Sequence, residues 1–265
     1  MNKYLIINAD DCGLSPSVNQ GVVELHQMGY ISSVTLMVNM PGFEDATRVI
    51  KENPNLGVGL HFNLTYGSPI SDPENVPSLV NAGGEFSFEI ERWKKDDVVT
   101  ELSAQWSRFK KTGLQPTHID SHQHIQKYPC VYEPMVLLAQ KRNLPMRRMG
   151  QEPTIEGMQH PLSADRFILD FYFKGDGESR LEQHLKELQP GITELMCHPG
   201  HVDDYVKAIS TWTDVREKEF EVFCNHELVS MLQKLDITLI HYGQINQVDR
   251  DLTRIFSVYD ARSMR

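Results

Sequence analysis

Short apolar runs rich in Ile, Val and Leu alternate along the chain with longer amphipathic stretches. The first run, Tyr4–Ile7, is apolar at successive positions, as in a strand that is covered on both faces. This alternation predicts βαβ units and a parallel sheet. Strands are predicted near 3–8, 33–38, 57–62, 116–120, 145–148, 167–172, 192–197 and 236–241.

The amphipathic stretches predict helices between these strands. Ser15 is a suitable N-cap, Pro16 fits the first helical turn, and Gly29 marks the end of the first helix. Helices are predicted near 17–29, 43–53, 96–112, 130–143, 179–188 and 214–234. Seven or eight mostly parallel strands favour an α/β fold of the (β/α) barrel type, regular or irregular, over an open doubly wound sheet.

Two segments rich in proline and glycine, 63–92 and 149–165, interrupt the alternation. Each follows a predicted strand, so both are expected on the face of the sheet that carries the active site. Because no linker divides the chain and 265 residues suit one α/β barrel, residues 1–265 are predicted to form a single domain. Residues 248–265 are predicted to be a surface segment or an oligomer contact.

Acidic residues outnumber basic ones by 36 to 26, and no basic block stands out. Nucleic acid and anionic membranes are therefore poor candidate partners, and no stretch has the pattern of a signal peptide or a membrane span. The four cysteines are scattered without a CxxC pair, which favours a reduced, cytoplasmic setting. Barrels of this size often pair, so we expect a homodimer.

Carboxylate and imidazole side chains collect where the predicted strands end. Asp10 and Asp11 follow the first strand, His61 ends the third, and the runs 118–124 and 196–201 end two others. Since the carboxyl ends of parallel strands share one rim, these segments are predicted to meet there. Two imidazoles and a carboxylate form a common catalytic metal site, and a second carboxylate can accept a proton.

The histidine run is the strongest single signal. In an extended segment alternate side chains share one face, here those of His118, Asp120, His122 and His124. They cannot all bind one ion, so some are expected to support the ligands or to contact substrate. Taken alone, Asp-Asp could cap a helix, a lone histidine is commonly structural, and Pro-Gly marks a turn. The motifs together favour a reaction centre.

With these motifs in this order, the chain resembles the YdjC-like carbohydrate deacetylases, whose best-known branch is the chitooligosaccharide deacetylases. The resemblance covers most of the chain. The motifs that carry it are Asn8-Ala9-Asp10-Asp11-Cys12-Gly13, Gly59-Leu60-His61-Phe62-Asn63-Leu64, Pro116-Thr117-His118-Ile119-Asp120-Ser121-His122-Gln123-His124 and Glu194-Leu195-Met196-Cys197-His198-Pro199-Gly200. The resemblance implies a metal-dependent hydrolase that removes the acetyl group from an N-acetylglucosamine unit of a short oligosaccharide.

The resemblance also implies roles for individual residues. It implies that Asp11, His61 and His122 are metal ligands, that Asp10 is the base, and that His198 is the acid that protonates the leaving amine. The resemblance also implies a metal, which is Mg²⁺ in several members of the family. By ligand softness, two histidines favour Zn²⁺ or another transition ion, so we expect Mg²⁺ with Zn²⁺ as the alternative.

Further residues are expected to bind substrate or to support the ligands: His118, Asp120, His124 and Arg147. Arg147 matches an arginine that often follows the fifth strand in this family, and the resemblance implies that it orients Asp10 or binds substrate. The chain departs from the family pattern twice, with Cys12 in place of an aromatic residue and Gln126 in place of one further histidine. The second departure weakens any role assigned to His124.

Aromatic residues near the strand ends and in the loops could form a platform for a sugar ring, with Phe62, Tyr66 and Trp212 as candidates. The sequence leaves open the length of the sugar and whether it is phosphorylated. A metal-dependent phosphoesterase or sugar-phosphate hydrolase is an alternative, but it would need two metals and a basic phosphate clamp. A glycosidase would need two opposed carboxylates. A non-catalytic sugar-binding protein would explain a pocket but not a base beside three potential ligands.

Overall fold

A computed structural model describes residues 2–171, 176–225, 227–248 and 257–259. Within these residues the chain forms one sheet of eight strands, in which all the pairings between strands are parallel. The strands are β1 Lys3–Cys12, β2 Ser33–Leu36, β3 Gly57–Phe62, β4 Pro116–Ser121, β5 Arg166–Ile168, β6 Gly191–Cys197, β7 Ile237–Leu239 and β8 Ser257–Tyr259.

The strand order is β4-β3-β2-β1-β6-β5-β8, and β7 pairs with the first residues of β1. β1 is central, because β6 lies along one edge of it, and β7 and then β2 lie along the other. The sheet curls into a half-barrel, and among the described residues no pairing joins β4 to β8. The predicted (β/α) barrel class is confirmed in its irregular form.

Helices surround this sheet. Those in the described residues are α1 Pro16–Gln27, α2 Phe43–Glu52, α3 Lys95–Lys111, α4 Pro129–Arg142, α5 Gly177–Glu187, α6 Asp204–Ile209, α7 Asp214–Asn225 and α8 Leu228–Lys234. Short 3₁₀ turns occupy Pro73–Asn75, Ile90–Arg92, His122–Lys127 and Tyr242–Gln244. None of the helices in the described ranges is both long and apolar enough to cross a membrane.

The apolar strand pattern and the first helix cap form as predicted. Leu5, Ile6 and Ile7 are fully buried, so β1 is covered on both faces. The Ser15 hydroxyl accepts a hydrogen bond from the backbone N–H of Val18, as an N-cap side chain does. These local signals therefore place the first strand and the first helix correctly.

Three predicted elements differ from the structure. The strand predicted at 145–148 is a single bridge between Met146 and Ile119, because its pairing with β4 is limited to two hydrogen bonds, from the Ile119 amide to Pro145 and from the Arg147 amide to Ile119. The helix predicted at 214–234 is the pair α7 and α8, and α6 was not predicted. In the segment 248–265, residues 257–259 form β8 beside β5, and most of the segment lies outside the described residues.

Candidate active site

A β-bulge at the end of β1 turns two adjacent carboxylates toward one site. From Ala9 to Cys12 the chain advances three residues, while the paired segment of β2 advances two. Asp11 has a φ of 65°, in the left-handed region that few non-glycine residues adopt. In a regular strand neighbouring side chains face opposite sides. Here Asp11 Oδ1 lies 3.2 Å from His61 Nε2, and Asp10 also lies within reach of His61.

The chain then turns at Gly13, which has a φ of 93°. A Cβ atom at this position would lie 2.7 Å from the carbonyl oxygen of Met37, so a side chain does not fit. The side-chain oxygen of Asn19, on α1, accepts a hydrogen bond of 2.7 Å from the Gly13 amide. The turn after the bulge is thus held by the following helix.

Asp11, His61 and His122 form a buried cluster with the donor atoms of a metal site. One ligand atom from each lies within 4.8 Å of the others. The His122 Nδ1–H donates to Asp11 Oδ1 at 2.8 Å, while His122 Nε2 is buried without a hydrogen-bond partner in the described part of the chain. Two imidazoles and one carboxylate suit a divalent cation and leave coordination positions open. These residues could therefore hold such a cation.

His61 is oriented from behind by Asp120. The His61 Nδ1–H donates to Asp120 Oδ1 at 2.6 Å, which leaves Nε2 directed at Asp11. Burial lowers the pKa of His61, but the Asp120 charge and the hydrogen bonds to Asp11 and Asp120 outweigh burial and raise it to about 10. The carboxylates thus favour positive charge at this point, as a site for a cation must. Carboxylates commonly orient metal-binding histidines in this way.

Asp10 is held by Arg147, which is fully buried. The Arg147 Nη1 and Nη2 groups donate to the two oxygens of Asp10, each at 2.6 Å. Burial raises the pKa of Asp10, but the charge and hydrogen bonds of Arg147 outweigh burial and hold that pKa below its usual range. Asp10 is therefore ionised at neutral pH. Arg147 also pairs with Asp120 Oδ2, 2.8 Å away. Asp10, His61 and Asp120 form a second group of potential metal ligands, but the Arg147 guanidinium already supplies the positive charge there.

Arg147 also belongs to a buried hydrogen-bond network with Glu194 and Tyr242. The Arg147 Nε–H donates to Glu194 at 2.8 Å, and the other oxygen of Glu194 accepts from the Tyr242 hydroxyl. Burial raises the pKa of Glu194 to about 7. The Tyr242 ring stacks on His118 with ring centroids 4.0 Å apart. Arg147 is the member of this network that contacts Asp10.

His118 belongs to this network and not to the substrate surface. It is fully buried, and its Nε2–H donates to Asn8 Oδ1 at 3.1 Å. The Asn8 amide donates in turn to Asp10 Oδ1 at 2.9 Å. Of the two roles considered for His118, support of the catalytic residues therefore fits its position, and substrate contact does not.

His198 lies on the other side of Asp10. Its Nε2 is 3.9 Å from Asp10 Oδ2, and its backbone N–H donates to the Glu219 carboxylate. Burial lowers the pKa of His198 to about 4, so the ring is neutral at neutral pH. The ring meets Trp212 edge to face, with centroids 5.1 Å apart.

The expected common face of the histidine run stops before His124. Gln123 and His124 have φ values of 51° and 55°, which breaks the extended segment after Ser121. The His124 ring lies edge-on to Phe167, and burial lowers its pKa to about 3. The extended conformation from which a common face of His118, Asp120, His122 and His124 was predicted ends at Ser121, yet His124 still lies close enough to Asp10, His61 and His198 to interact with their charges. Its role in binding or support stays a prediction.

Sequence reasoning missed two charged residues of α7, Arg216 and Glu219. Arg216 Nη2 donates to Asp11 Oδ2, and both side chains are at most 2 % exposed. A signal was present, because Arg216 and Glu219 lie at helical spacing from Val222 and Phe223, on the buried face of α7. Charged residues on a buried helix face require partners, so this pattern could have marked them.

Of the three aromatic residues proposed as a sugar platform, two flank the site. Phe62 is fully buried in the core and cannot contact a sugar, so that prediction was wrong. The Tyr66 ring lies 4.9 Å from the His122 ring, and Trp212 is 48 % exposed beside His198. Tyr66 and Trp212 therefore stand near His122 and His198, on different elements.

Comparisons with known proteins identify a family. Residues 4–234 match the model of a family described as YdjC-like protein. A carbohydrate deacetylase of Geobacillus stearothermophilus is 40% identical over 249 residues, which is 92% of this chain and 98% of that protein. A chitooligosaccharide deacetylase of Yersinia enterocolitica is 35% identical over 259 residues, 92% of this chain and 99% of that protein.

A similar solved structure supports the same fold. It is a protein of Enterococcus faecalis V583, proposed to be a cellobiose-phosphate cleavage protein, with a TM-score of 0.85 and 31% identity. The match covers 92% of this chain and 99% of that chain. The half-barrel is therefore shared with an experimentally determined structure.

Proposed function

Since this chain belongs to the YdjC-like protein family, we propose that it is a metal-dependent N-deacetylase acting on N-acetylglucosamine units of short chitooligosaccharides. The observation that carries this proposal is the position of Asp10, held ionised by Arg147 directly beside the cluster of Asp11, His61 and His122. An ionised carboxylate next to a metal site suits metal-assisted amide hydrolysis, because it can accept the proton of the attacking water.

We propose that Asp11, His61 and His122 hold the divalent cation, Mg²⁺ in the first instance and Zn²⁺ as the alternative. When bound, a cation at this site would polarise the amide carbonyl and favour deprotonation of the attacking water. The buried, unpartnered Nε2 of His122 and the orientation of His61 by Asp120 support this assignment.

Asp10 accepts the proton of the attacking water in this proposal. Arg147 fixes the orientation of Asp10. Asp10 Oδ1 accepts from both Arg147 and Asn8, whereas Oδ2 accepts from Arg147 alone and keeps a second lone pair for the incoming proton. His198 delivers a proton to the amine nitrogen as the carbon–nitrogen bond breaks. Because the His198 ring is neutral at neutral pH, it must first receive that proton, and Asp10 is 3.9 Å away. The products are acetate and the free amine.

Tyr66 and Trp212 are the proposed contacts for the sugar ring. Aromatic faces stack on the apolar faces of sugars. The Tyr66 ring lies beside His122, a proposed metal ligand, and the Trp212 ring lies beside His198, the proposed acid. We further propose that residues 1–265 act as one domain, as a homodimer in the cytoplasm. The four unpaired cysteines agree with a reduced setting.

Phosphate-ester hydrolysis is less well supported by the site. Its two buried guanidinium groups, Arg147 and Arg216, both pair with carboxylates in the described structure, so neither offers a free phosphate clamp. The second group of potential ligands, formed by Asp10, His61 and Asp120, is already paired with Arg147. A two-metal mechanism would need both groups.

Release of acetate from N,N′-diacetylchitobiose tests the proposal. We expect acetate and free amine in equal amounts, activity lost after treatment with EDTA, and activity restored by adding Mg²⁺ or Zn²⁺. Lys218→Gln, an exposed change on α7, serves as a control that keeps activity. Release of N-acetylglucosamine without acetate, or release of phosphate from a phosphorylated N,N′-diacetylchitobiose without acetate, would contradict the proposal.

A further inference from the structure

One face of α7 carries two buried ionisable residues, Arg216 and Glu219, that reach the ends of two neighbouring strands. Arg216 Nη2 donates to Asp11 Oδ2, at the end of β1. Glu219, three residues later, accepts from the backbone N–H of His198, which directly follows β6. Arg216 is 2 % and Glu219 is 4 % exposed. The backbone amide of Gly200 also donates to the carbonyl of Arg216 at 3.3 Å.

We propose that α7 positions the reaction centre through these two residues: Arg216 sets which oxygen Asp11 offers to the cation, and Glu219 sets the position of His198. This inference rests on the proposed function. Neither residue contacts the reacting atoms in this scheme, so both are positioning residues. They lie outside the strand-end motifs that mark the site in the sequence.

The case for Arg216 begins with the conformation of Asp11. A carboxylate on a left-handed bulge residue has no regular strand geometry to orient it, and Asp11 has a φ of 65°. Its Oδ1 faces His61 and His122, and its Oδ2 is occupied by Arg216. Oδ1 is therefore the oxygen of Asp11 that faces the proposed cation, and Oδ2 is the one held by Arg216.

The burial of Arg216 also points to Asp11. A buried guanidinium is costly unless it is paired. Among the described residues its Nε and Nη1 have no hydrogen-bond partner, and its side-chain hydrogen bond is the one to Asp11. The side-chain hydrogen bond of this guanidinium is thus directed at the Asp11 carboxylate.

Glu219 contacts the backbone nitrogen of His198, whereas Arg216 contacts the side chain of Asp11. Its carboxylate accepts the amide hydrogen of His198 and so fixes the backbone from which the imidazole reaches toward Asp10. Loss of this acceptor would shift His198 without touching Asp11, His61 or His122. The two residues should therefore give different functional signatures although they are one turn apart.

Paired variants test this difference. Arg216→Met and Glu219→Met remove the polar group at similar length, Glu219→Gln keeps a hydrogen-bond acceptor, and Lys218→Gln is the exposed control on the same helix. The readouts are affinity of metal-stripped protein for Zn²⁺ by calorimetry, kcat and KM for acetate release at saturating metal, and the thermal midpoint. Arg216→Gln replaces Arg216→Met if the latter does not fold.

We expect Arg216→Met to weaken Zn²⁺ binding about 10-fold or more, as loss of groups that orient ligands does. Glu219→Met should keep Zn²⁺ affinity and lower kcat with little change in KM, and Glu219→Gln should restore kcat. Wild-type Zn²⁺ affinity in the Arg216 variant, or equal loss of kcat in both Glu219 variants, overturns the inference. A wild-type protein that binds no divalent cation would instead overturn the proposed function.

Discussion

Two adjacent carboxylates have different cationic partners, and this difference separates their proposed roles. Arg147 binds both oxygens of Asp10, whereas Arg216 binds one oxygen of Asp11 and leaves the other toward the histidines. Charge-assisted hydrogen bonds of this kind are short and directional. The Asp10 carboxylate is therefore fixed and ionised, and the Asp11 carboxylate presents one oxygen to His61 and His122. Neighbouring positions in the sequence can thus serve as base and ligand.

Asp10→Asn should separate metal binding from catalysis. The amide keeps the shape of the carboxylate but cannot accept the proton, so we expect kcat for acetate release to fall about 10³-fold. Asp11, His61 and His122 are unchanged, so affinity for the cation should stay near the wild-type value. Calorimetry on metal-stripped protein and an acetate assay check the two parts. Turnover at the wild-type rate would remove Asp10 from the role of base.

His160 predicts a dependence of stability on pH away from the site. Its Nδ1 accepts from the Tyr132 hydroxyl at 3.1 Å and its Nε2–H donates to the carbonyl of Met146 at 3.2 Å, so the neutral ring is satisfied. Burial lowers the pKa of His160 from 6.5 to about 4. As pH falls through this interval the unfolded chain takes up a proton that the folded protein does not, so the folded state loses stability.

Urea unfolding of wild type and His160→Gln measures this effect. Between about pH 7 and about pH 4, the free energy of unfolding of the wild type should fall by about 2 kcal/mol more than that of the variant. Other titrating groups are common to both proteins, so the difference isolates His160. Curves that run parallel across this pH range would show that His160 is not held neutral.

At the scale of elements, periodicity and turn chemistry predict much of this fold. β1, β3, β4, β6 and the first helices form close to their predicted positions, because apolar runs and caps are local properties of the chain. Features set by tertiary contacts were not predicted. The bulge at Asp11 depends on pairing with β2, and the left-handed turn at His124 has no marker such as glycine. Likewise, α6 is too short for a clear hydrophobic period.

The contact between β3 and β4 gives a prediction for Gly59. A Cβ atom there would lie 2.6 to 2.7 Å from ring atoms of His118, whose other face stacks on Tyr242. Gly59→Ala should displace the ring and lower the free energy of unfolding by about 2 kcal/mol. Urea unfolding measures the loss, and Gly83→Ala, on an exposed loop, is the control. Equal stability of the two variants would mean that the ring moves freely.

At the scale of the whole molecule, parallel topology gathers the site. The carboxyl ends of β1, β3, β4 and β6 bring Asp10, His61, His122 and His198 to one rim, although they are far apart in sequence. Their proximity could be predicted, because polar residues follow apolar strands and parallel strands end together. For α7, helical spacing could mark Arg216 and Glu219 as buried, but their partners at the ends of β1 and β6 are set by tertiary packing.

Because this cluster joins distant parts of the chain, a bound cation should stabilise the whole fold. A ligand at 100 times its dissociation constant adds about 2.7 kcal/mol, which for a chain of this size raises the thermal midpoint by about 5 to 10 °C. We expect this rise for metal-stripped wild type with saturating Zn²⁺, and its reversal by EDTA. Asp11→Asn should lose most of this rise in the thermal midpoint. His201→Gln should keep the rise, because His201 is a half-exposed histidine that pairs with Glu24. A shift of the same size in Asp11→Asn would place the cation elsewhere.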